Sequence, residues 1–245
     1  TATDAYNVAV GFNAGLSVST GTQNVIIGGL AGDAMTTPSN NTAIGFQSLS
    51  NETTGQNNVG VGYNALATQN RTDNTNQYNV AVGSQAGEQI TSGTQNTLIG
   101  GLAGDELTAS DFNVAVGYSS LSTDTLGARN VAVGHEALAS QNFTTATTSY
   151  NTAVGMQAGR LITLGIQNTL LGGLAGDELT DTDNNVAVGY AALGTDTLGQ
   201  QSTAVGTGAL HNQNFTTATN THNVAVGYHS GLNVTTGTNN TIVGS

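Results

Sequence analysis

The chain is 245 residues long, with 34 Gly, one Pro, no Cys and no Trp, and only 7% of it is charged, against roughly 25% in an ordinary soluble domain. Fifteen acids face three arginines (Arg71, Arg129, Arg160) and no lysine, a net charge of −12 that repels a phosphate backbone and sets nucleic acid aside as a partner. The lack of Cys excludes disulfides, thiolate catalysis and Cys-ligated metals, and no apolar run reaches the ~18 residues of a membrane helix or has the layout of a secretory signal.

From the N-terminus onward one phrase returns: Asn, then Val or Thr, a small or apolar residue, then Val, Ile or Leu, then Gly. It starts at Asn7, Asn24, Asn41, Asn58, Asn79, Asn96, Asn113, Asn130, Asn151, Asn168, Asn185, Ser202, Asn223 and Asn240, fourteen copies with one Ser for Asn. Three equal steps, from Asn7 to Asn24, Asn41 and Asn58, are followed by one that is longer by four, to Asn79, and the cycle then begins again. Asn7, Asn79, Asn151 and Asn223 mark this super-repeat. The long period is written in detail too: NTLIGGLAGDELT at 96–108 returns at 168–180 with only Ile99 replaced, by Leu171. The four extra residues fall in RTDNTNQ, FTTATTS and FTTATNT, at one phase, as loops on one side of a stacked array would.

The basic unit, as from Asn7 to Gln23, is too short for two helices, and its apolar burst is brief, β-branched and closed by Gly, which are strand signals. The spacing predicts one coil of a β-solenoid per unit: a first strand such as Val114 to Val116, a turn at Gly117, a second short strand around Tyr118 to Leu121, and a polar return. Residues 1–245 read as a single repetitive segment of fourteen coils, a rod of roughly 65 Å at about 4.8 Å per coil. Since it starts at Thr1 and stops in mid-coil, it reads as a piece of a longer fibre.

Two positions hardly vary, the closing Gly not at all and the leading Asn only at Ser202. Gly closes every strand, at Gly11, Gly28, Gly45, Gly62, Gly83, Gly100, Gly117, Gly134, Gly155, Gly172, Gly189, Gly206, Gly227 and Gly244, as a positive φ or a close backbone approach requires. The leading Asn is expected to stack into a ladder, its amide pairing with the coils above and below.

Side chains alternate across a strand, so the second and fourth residues share one face and the third points the other way. The fourth is always Val, Ile or Leu and the second Val or Thr. The third is Ala9, Ile26, Ala43, Gly60, Ala81, Leu98, Ala115, Ala132, Ala153, Leu170, Ala187, Ala204, Ala225 or Ile242. Neither face accepts a charge, so one of them needs a cover, and along a rod of repeats the natural cover is a second copy. At ~25 cal/mol per Å², a few tens of Å² per coil would give several kcal/mol. The third-position residues are expected in the core or at an oligomer interface, where the bulky ones, recurring once per super-repeat, would meet as layers among thinner Ala layers.

Units such as NVAVGHEAL, Asn130 to Leu138, resemble the head repeats of trimeric autotransporter adhesins, and NTAIGFQSL at 41–49 is similar to phage tail-fibre repeats of the same period. The resemblance spans essentially the whole chain. It implies an all-β, left-handed parallel β-roll in a side-by-side homotrimer, located outside the cell on a bacterial surface or in a virion tail fibre.

Other motifs have plainer readings. GGLAGDELT is out of register with the calcium repeat it evokes, so Asp33, Asp105 and Asp177 read as solvated acids. Asp181 with Asp183, and Asp73 with Asn74 and Asn76, offer oxygens without recurring. The acid pairs Asp105–Glu106 and Asp177–Glu178 are adjacent residues of opposite direction, which does not make a glycosidase pair. His135, His211, His222 and His229 lack zinc spacing and read as surface residues. No enzyme, cofactor or metal is expected. Phe12, Phe46, Tyr63, Tyr118, Tyr190 and Tyr228 follow the invariant Gly and should form a stripe packed over the turn. Phe143 and Phe215 in the long loops, with Arg71, are the candidates for contact with an outside partner, a glycan or matrix receptor. The expected function is an adhesive fibre segment. The alternatives are an ice-binding solenoid with a flat Thr ladder, or a polysaccharide-cutting tailspike with a recurring acidic groove.

Overall fold

The computed structural model describes residues 4–245. The chain forms two compact units, one up to Tyr118 and one from Ser119 onward. Each is a parallel β-solenoid, about fourteen turns in all, with no helix among the described residues.

In the first unit the strands are Val8–Val10, Val25–Ile27, Thr42–Ile44, Val59–Val61, Val80–Val82, Thr97–Ile99 and Val114–Val116. In the second they are Val131–Val133, Thr152–Val154, Thr169–Leu171, Val186–Val188, Thr203–Val205, Val224–Val226 and Thr241–Val243. Within a unit each strand pairs in parallel with the equivalent residues of the next coil, Val8 on Val25 and Ala9 on Ile26, and the register survives the longer step, Val59 on Val80. The extra residues therefore leave the ladder and close it again in phase. They add short parallel pairs on the return leg, Gly127–Ala128 with Thr147–Thr148 and Gly199–Gln200 with Thr219–Asn220.

The invariant glycine meets both of its expected constraints at once. Its φ lies between +128° and +144° in the fourteen coils. A Cβ on Gly155 would sit 2.4 Å from the carbonyl oxygen of Gly172 in the next coil. A side chain there would strain the backbone and collide with it, so the column admits only Gly.

The second short strand predicted around Tyr118 to Leu121 does not form. The chain instead makes a compact turn in which the second and fourth residues after the glycine take positive φ, Gln47 at 54° and Leu49 at 51°. A strand cannot hold left-handed residues. What survives is coil-to-coil hydrogen bonding, as from Leu30 N–H to Phe12 O at 2.9 Å. A buried Leu in left-handed geometry costs about 1–2 kcal/mol, which full burial of its side chain, about 1.5–3 kcal/mol, offsets. Leu49, Leu66, Leu138, Leu193 and Leu210 are all fully buried.

The third-position residues point into the coil. All are fully buried except Ala9 and Ile242 in the terminal coils. The buried ones are core, as one half of the expectation had it, and Ile26, Leu98 and Leu170, with no exposed surface, cannot meet between copies, which corrects the other half. Glycines in the same coil and in the preceding one make room for them: a Cβ on Gly87, one coil earlier, would lie 2.7 Å from Leu98 Cδ1, and one on Gly104, in the same coil, would lie 2.8 Å from Leu98 Cδ2. Gly159 and Gly176 flank Leu170 in the same way, at 2.6 and 2.9 Å. Volume is traded within the chain, as close packing requires.

Candidate functional site

With the third position turned inward, the second and fourth residues face out. They make two ranks of Val, Thr, Ile and Leu in which Ile99 is 40% exposed and Val154 38%. Aromatic residues flank the ranks. Before the Asn stand Tyr6, Tyr78, Phe112 and Tyr150, and after the Gly stand Phe46, Tyr63, Tyr118 and Tyr190, all large and exposed. Phe46 and Tyr63, in adjacent coils, stack at 6.0 Å and 8°. The stripe after the Gly is thus present but lies open to solvent. The stripe before the Asn had no place in the sequence reading. Its residues hold positive φ, 56° at Tyr78 and 52° at Tyr150, a costly geometry for a bulky side chain.

Along the inner edge of these ranks runs the asparagine ladder. Asn41 N–H donates to Asn24 Oδ1 at 3.0 Å, Asn168 N–H to Asn151 Oδ1 at 2.9 Å, and so through each unit. Most of the amides also donate within their own coil, as Asn151 Nδ2 does to Gly165 O at 2.7 Å. The one exception, Ser202, still donates its N–H to Asn185 Oδ1 at 2.9 Å. It offers no amide oxygen to the next coil, and Asn223 N–H turns to Thr221 Oγ1 at 3.4 Å.

The long loops are tied to buried carboxylates that the sequence reading missed. Asp124 Oδ1 accepts from Gly127 N–H at 3.1 Å and Phe143 N–H at 3.0 Å, and its Oδ2 accepts from Gln141 Nε2 at 2.6 Å. Gln141 Oε1 in turn accepts from Asn151 Nδ2 at 2.8 Å, joining the relay to the ladder. Asp196, Gln213 and Asn223 repeat the arrangement, and Glu52, Gln69 and Asn79 form a third version. All three acids are fully buried. Burial pushes the Asp124 carboxyl up, against the hydrogen bonds from Phe143, Gln141 and Gly127. The signal was present in the sequence: Glu52, Asp124 and Asp196 stand at one phase of the super-repeat, and Gln69, Gln141 and Gln213 at another.

This relay overturns the placement of two contact candidates. Phe143 and Phe215 are only 5% and 7% exposed. Their backbone N–H groups bind the buried Asp124 and Asp196, which draws the loop base, and the ring with it, inward. The exposed loop residues include instead Thr144, Thr145, Thr216 and Thr217. Arg71, at the same phase in the first unit, is partly exposed and binds its own loop, Nη2 to Asp73 Oδ2 at 2.6 Å, and the next coil, Nη1 to Ser92 O at 2.8 Å. The guanidinium and the Thr75 hydroxyl hold Asp73 well below the usual carboxylate range.

The remaining acids do not converge. Among the described residues no group of three His, Cys, Asp or Glu could hold a metal ion. Asp183 accepts from Ile166 N–H at 2.8 Å, a coil-to-coil bond. Asp105 is pushed up to about 6, by burial and then by its neighbours Glu106 and Glu88. Burial and Glu178 raise Asp177 as well, while Arg160 and His211 oppose the shift. No helix among the described residues is long and apolar enough to cross a membrane. Compared with known protein families and with characterised proteins, the chain matches none.

Proposed function

We propose that this chain is a structural and adhesive segment of an extracellular fibre, in which three left-handed β-rolls lie side by side and their exposed loops meet a cell-surface partner. The observation that carries the reading is the outward strand face. Its second and fourth positions hold only Val, Thr, Ile or Leu in every coil, and aromatic residues border it on both sides. Seven coils at about 4.8 Å, three residues wide, make a strip on the order of 300 Å² per unit. A strip of that size matches the largest apolar patches of soluble monomers, which are often functional, and the aromatic residues on both borders enlarge it. The number three and the left hand come from the likeness of NVAVGHEAL and NTAIGFQSL to adhesin-head and tail-fibre repeats.

The polar side of the coil fits a stiffening role better than an ice-binding one. A rank of hydroxyls facing ice has to be unused by the protein, yet Thr36 Oγ1 donates to Thr53 O at 2.9 Å and Thr180 Oγ1 to Thr197 O at 2.9 Å. Those bonds join coil to coil and lengthen the ladder sideways.

The mass in solution tests the proposal. Light scattering should give about three times the 24.5 kDa chain mass, and Ile99→Arg with Val154→Arg, on the outward face, should yield monomers that keep their β signature. A wild-type chain that stays monomeric at high concentration contradicts the fibre.

A further inference from the structure

The long super-repeat is copied so closely that the places where it departs from itself stand out, and seven departures line a single cleft, four of them forming two coupled pairs. Gly194 and Gly208 stand where the preceding super-repeat has Ser122 and Glu136, and His211 and His229 stand where it has Ala139 and Gln157. The four changes are coupled in space. A Cβ on Gly194 would lie 2.7 Å from His211 Nδ1, and one on Gly208 would lie 2.5 Å from His229 Cδ2. The two glycines thus make the room that the two imidazoles occupy. The cleft they border, within the second unit, has a volume of about 390 Å³, in the range of small-ligand sites.

We propose that this cleft binds a neutral pyranose sugar. Its wall combines an apolar platform with acceptors and donors at close quarters. Tyr190 presents an exposed ring beside Leu174 and Leu232, a surface for the C–H face of a sugar. Asp177 and Glu178 supply carboxylates that accept from hydroxyls. His211 Nδ1 sits 3.1 Å from the Ala191 carbonyl oxygen and so carries the proton there, which leaves Nε2 as an acceptor when the ring is neutral. His229 is held by stacking on Tyr228 at 3.9 Å. An anion would meet the two carboxylates. A compact metal cation would lack ligands, since no group of three His, Asp or Glu among the described residues could hold one. A neutral polyhydroxylated ring satisfies all of these groups without an uncompensated charge.

A sister cleft at the same phase, about 340 Å³, is lined by Ser119, Ser122, Glu136, Ala139 and Arg160 and has no imidazole. It is an internal control. The assignment deepens the adhesive reading and rests on that reading only for its use to the fibre. Sugar binding and oligomer mass are measured separately, so a failure of one is distinguishable from a failure of the other.

The test is ligand-observed NMR of the full chain with methyl glycosides and disaccharides of glucose, galactose, mannose and N-acetylglucosamine. At least one should bind and shift the Tyr190 and His211 resonances. The variant Gly194→Ser/Gly208→Glu/His211→Ala/His229→Gln installs residues that the sister coil already seats at the same phase. It should weaken that binding at least tenfold with its melting temperature unchanged, and His211→Ala alone should weaken it in the same direction. If no sugar in the panel binds, or if both the fourfold and the single variant bind as wild type does, the assignment is wrong.

Discussion

The first long loop, residues 69–77, and its counterpart in the second unit, residues 141–149, hang on the same frame and dress it differently. In both, a buried acid takes backbone N–H groups and a Gln amide, and the Gln passes the contact to the asparagine ladder. The acid is Glu52 in one and Asp124 in the other, and the residue at equal phase is Arg71 in one and Phe143 in the other. Arg71 reaches Asp73 and Ser92 at the surface, whereas the Phe143 ring is buried. The relay thus governs where the loop leaves and rejoins the coil. The side chain at the loop base is chosen by local chemistry.

If the relay is the common frame, removing its acid should have the largest effect. Asp124→Ala strands two N–H groups and the Gln141 amide in a buried site, and we expect a loss of roughly 3–5 kcal/mol, read from the urea midpoint. Glu52→Ala should cost a similar amount. A much smaller loss at Glu52 would mean that the two loops do not share one anchor.

The residues at the loop base should separate next. Phe143→Ala empties a buried ring site and is expected to cost about 3 kcal/mol, while Arg71→Ala should leave the midpoint unchanged within error, because its ion pair is at the surface. Equal losses would show that Arg71 supports the first loop as Phe143 does the second.

A pH series sharpens the contrast between acids inside the relay and outside it. Asp105 has a folded-state value of about 6, above its ordinary 3.8, so the folded state binds its proton more tightly than the unfolded state does. Its burial therefore weighs against the fold above about pH 6, and stability should rise as pH falls from about 7 toward 4. Asp105→Asn should flatten that slope and raise stability at pH 7 by about 1 kcal/mol after solvent screening. Thermal melts across the range would show this, and a slope unchanged in the variant would assign it to other groups.

The smallest effect is expected from Arg71→Phe, which copies the second unit's residue into the first loop. The melting temperature should rise slightly if the ring finds the inward site that Phe143 uses, and fall if Gln77, which stands where the second unit has Ser149, already fills that space. Either sign distinguishes a shared pocket from a merely shared backbone.

Periodicity alone carried the coil, the strand and its in-register stacking, because a short phrase that returns fourteen times can only be satisfied by equal neighbours. The roles of the invariant Gly and Asn followed from single-residue chemistry, a backbone that tolerates no Cβ and an amide with a donor and an acceptor. Other features were illegible for definable reasons. Left-handed residues such as Leu49 and Tyr150 look like ordinary apolar or aromatic positions in a sequence, so the second strand was expected where a turn forms. An acid such as Asp124 looks solvated until its donors are known, and Phe143 looks exposed because it opens an insertion.

What the amino-acid order determined by itself was which residues repeat, at what interval, and that neither strand face carries charge. Only the tertiary structure decided which face is the core. That choice depends on where the chain turns after each glycine: Leu98 is fully buried while Ile99, one residue on, is 40% exposed. Alternation along a strand defines two faces but not their direction, and burial is settled only when the coil closes around one of them.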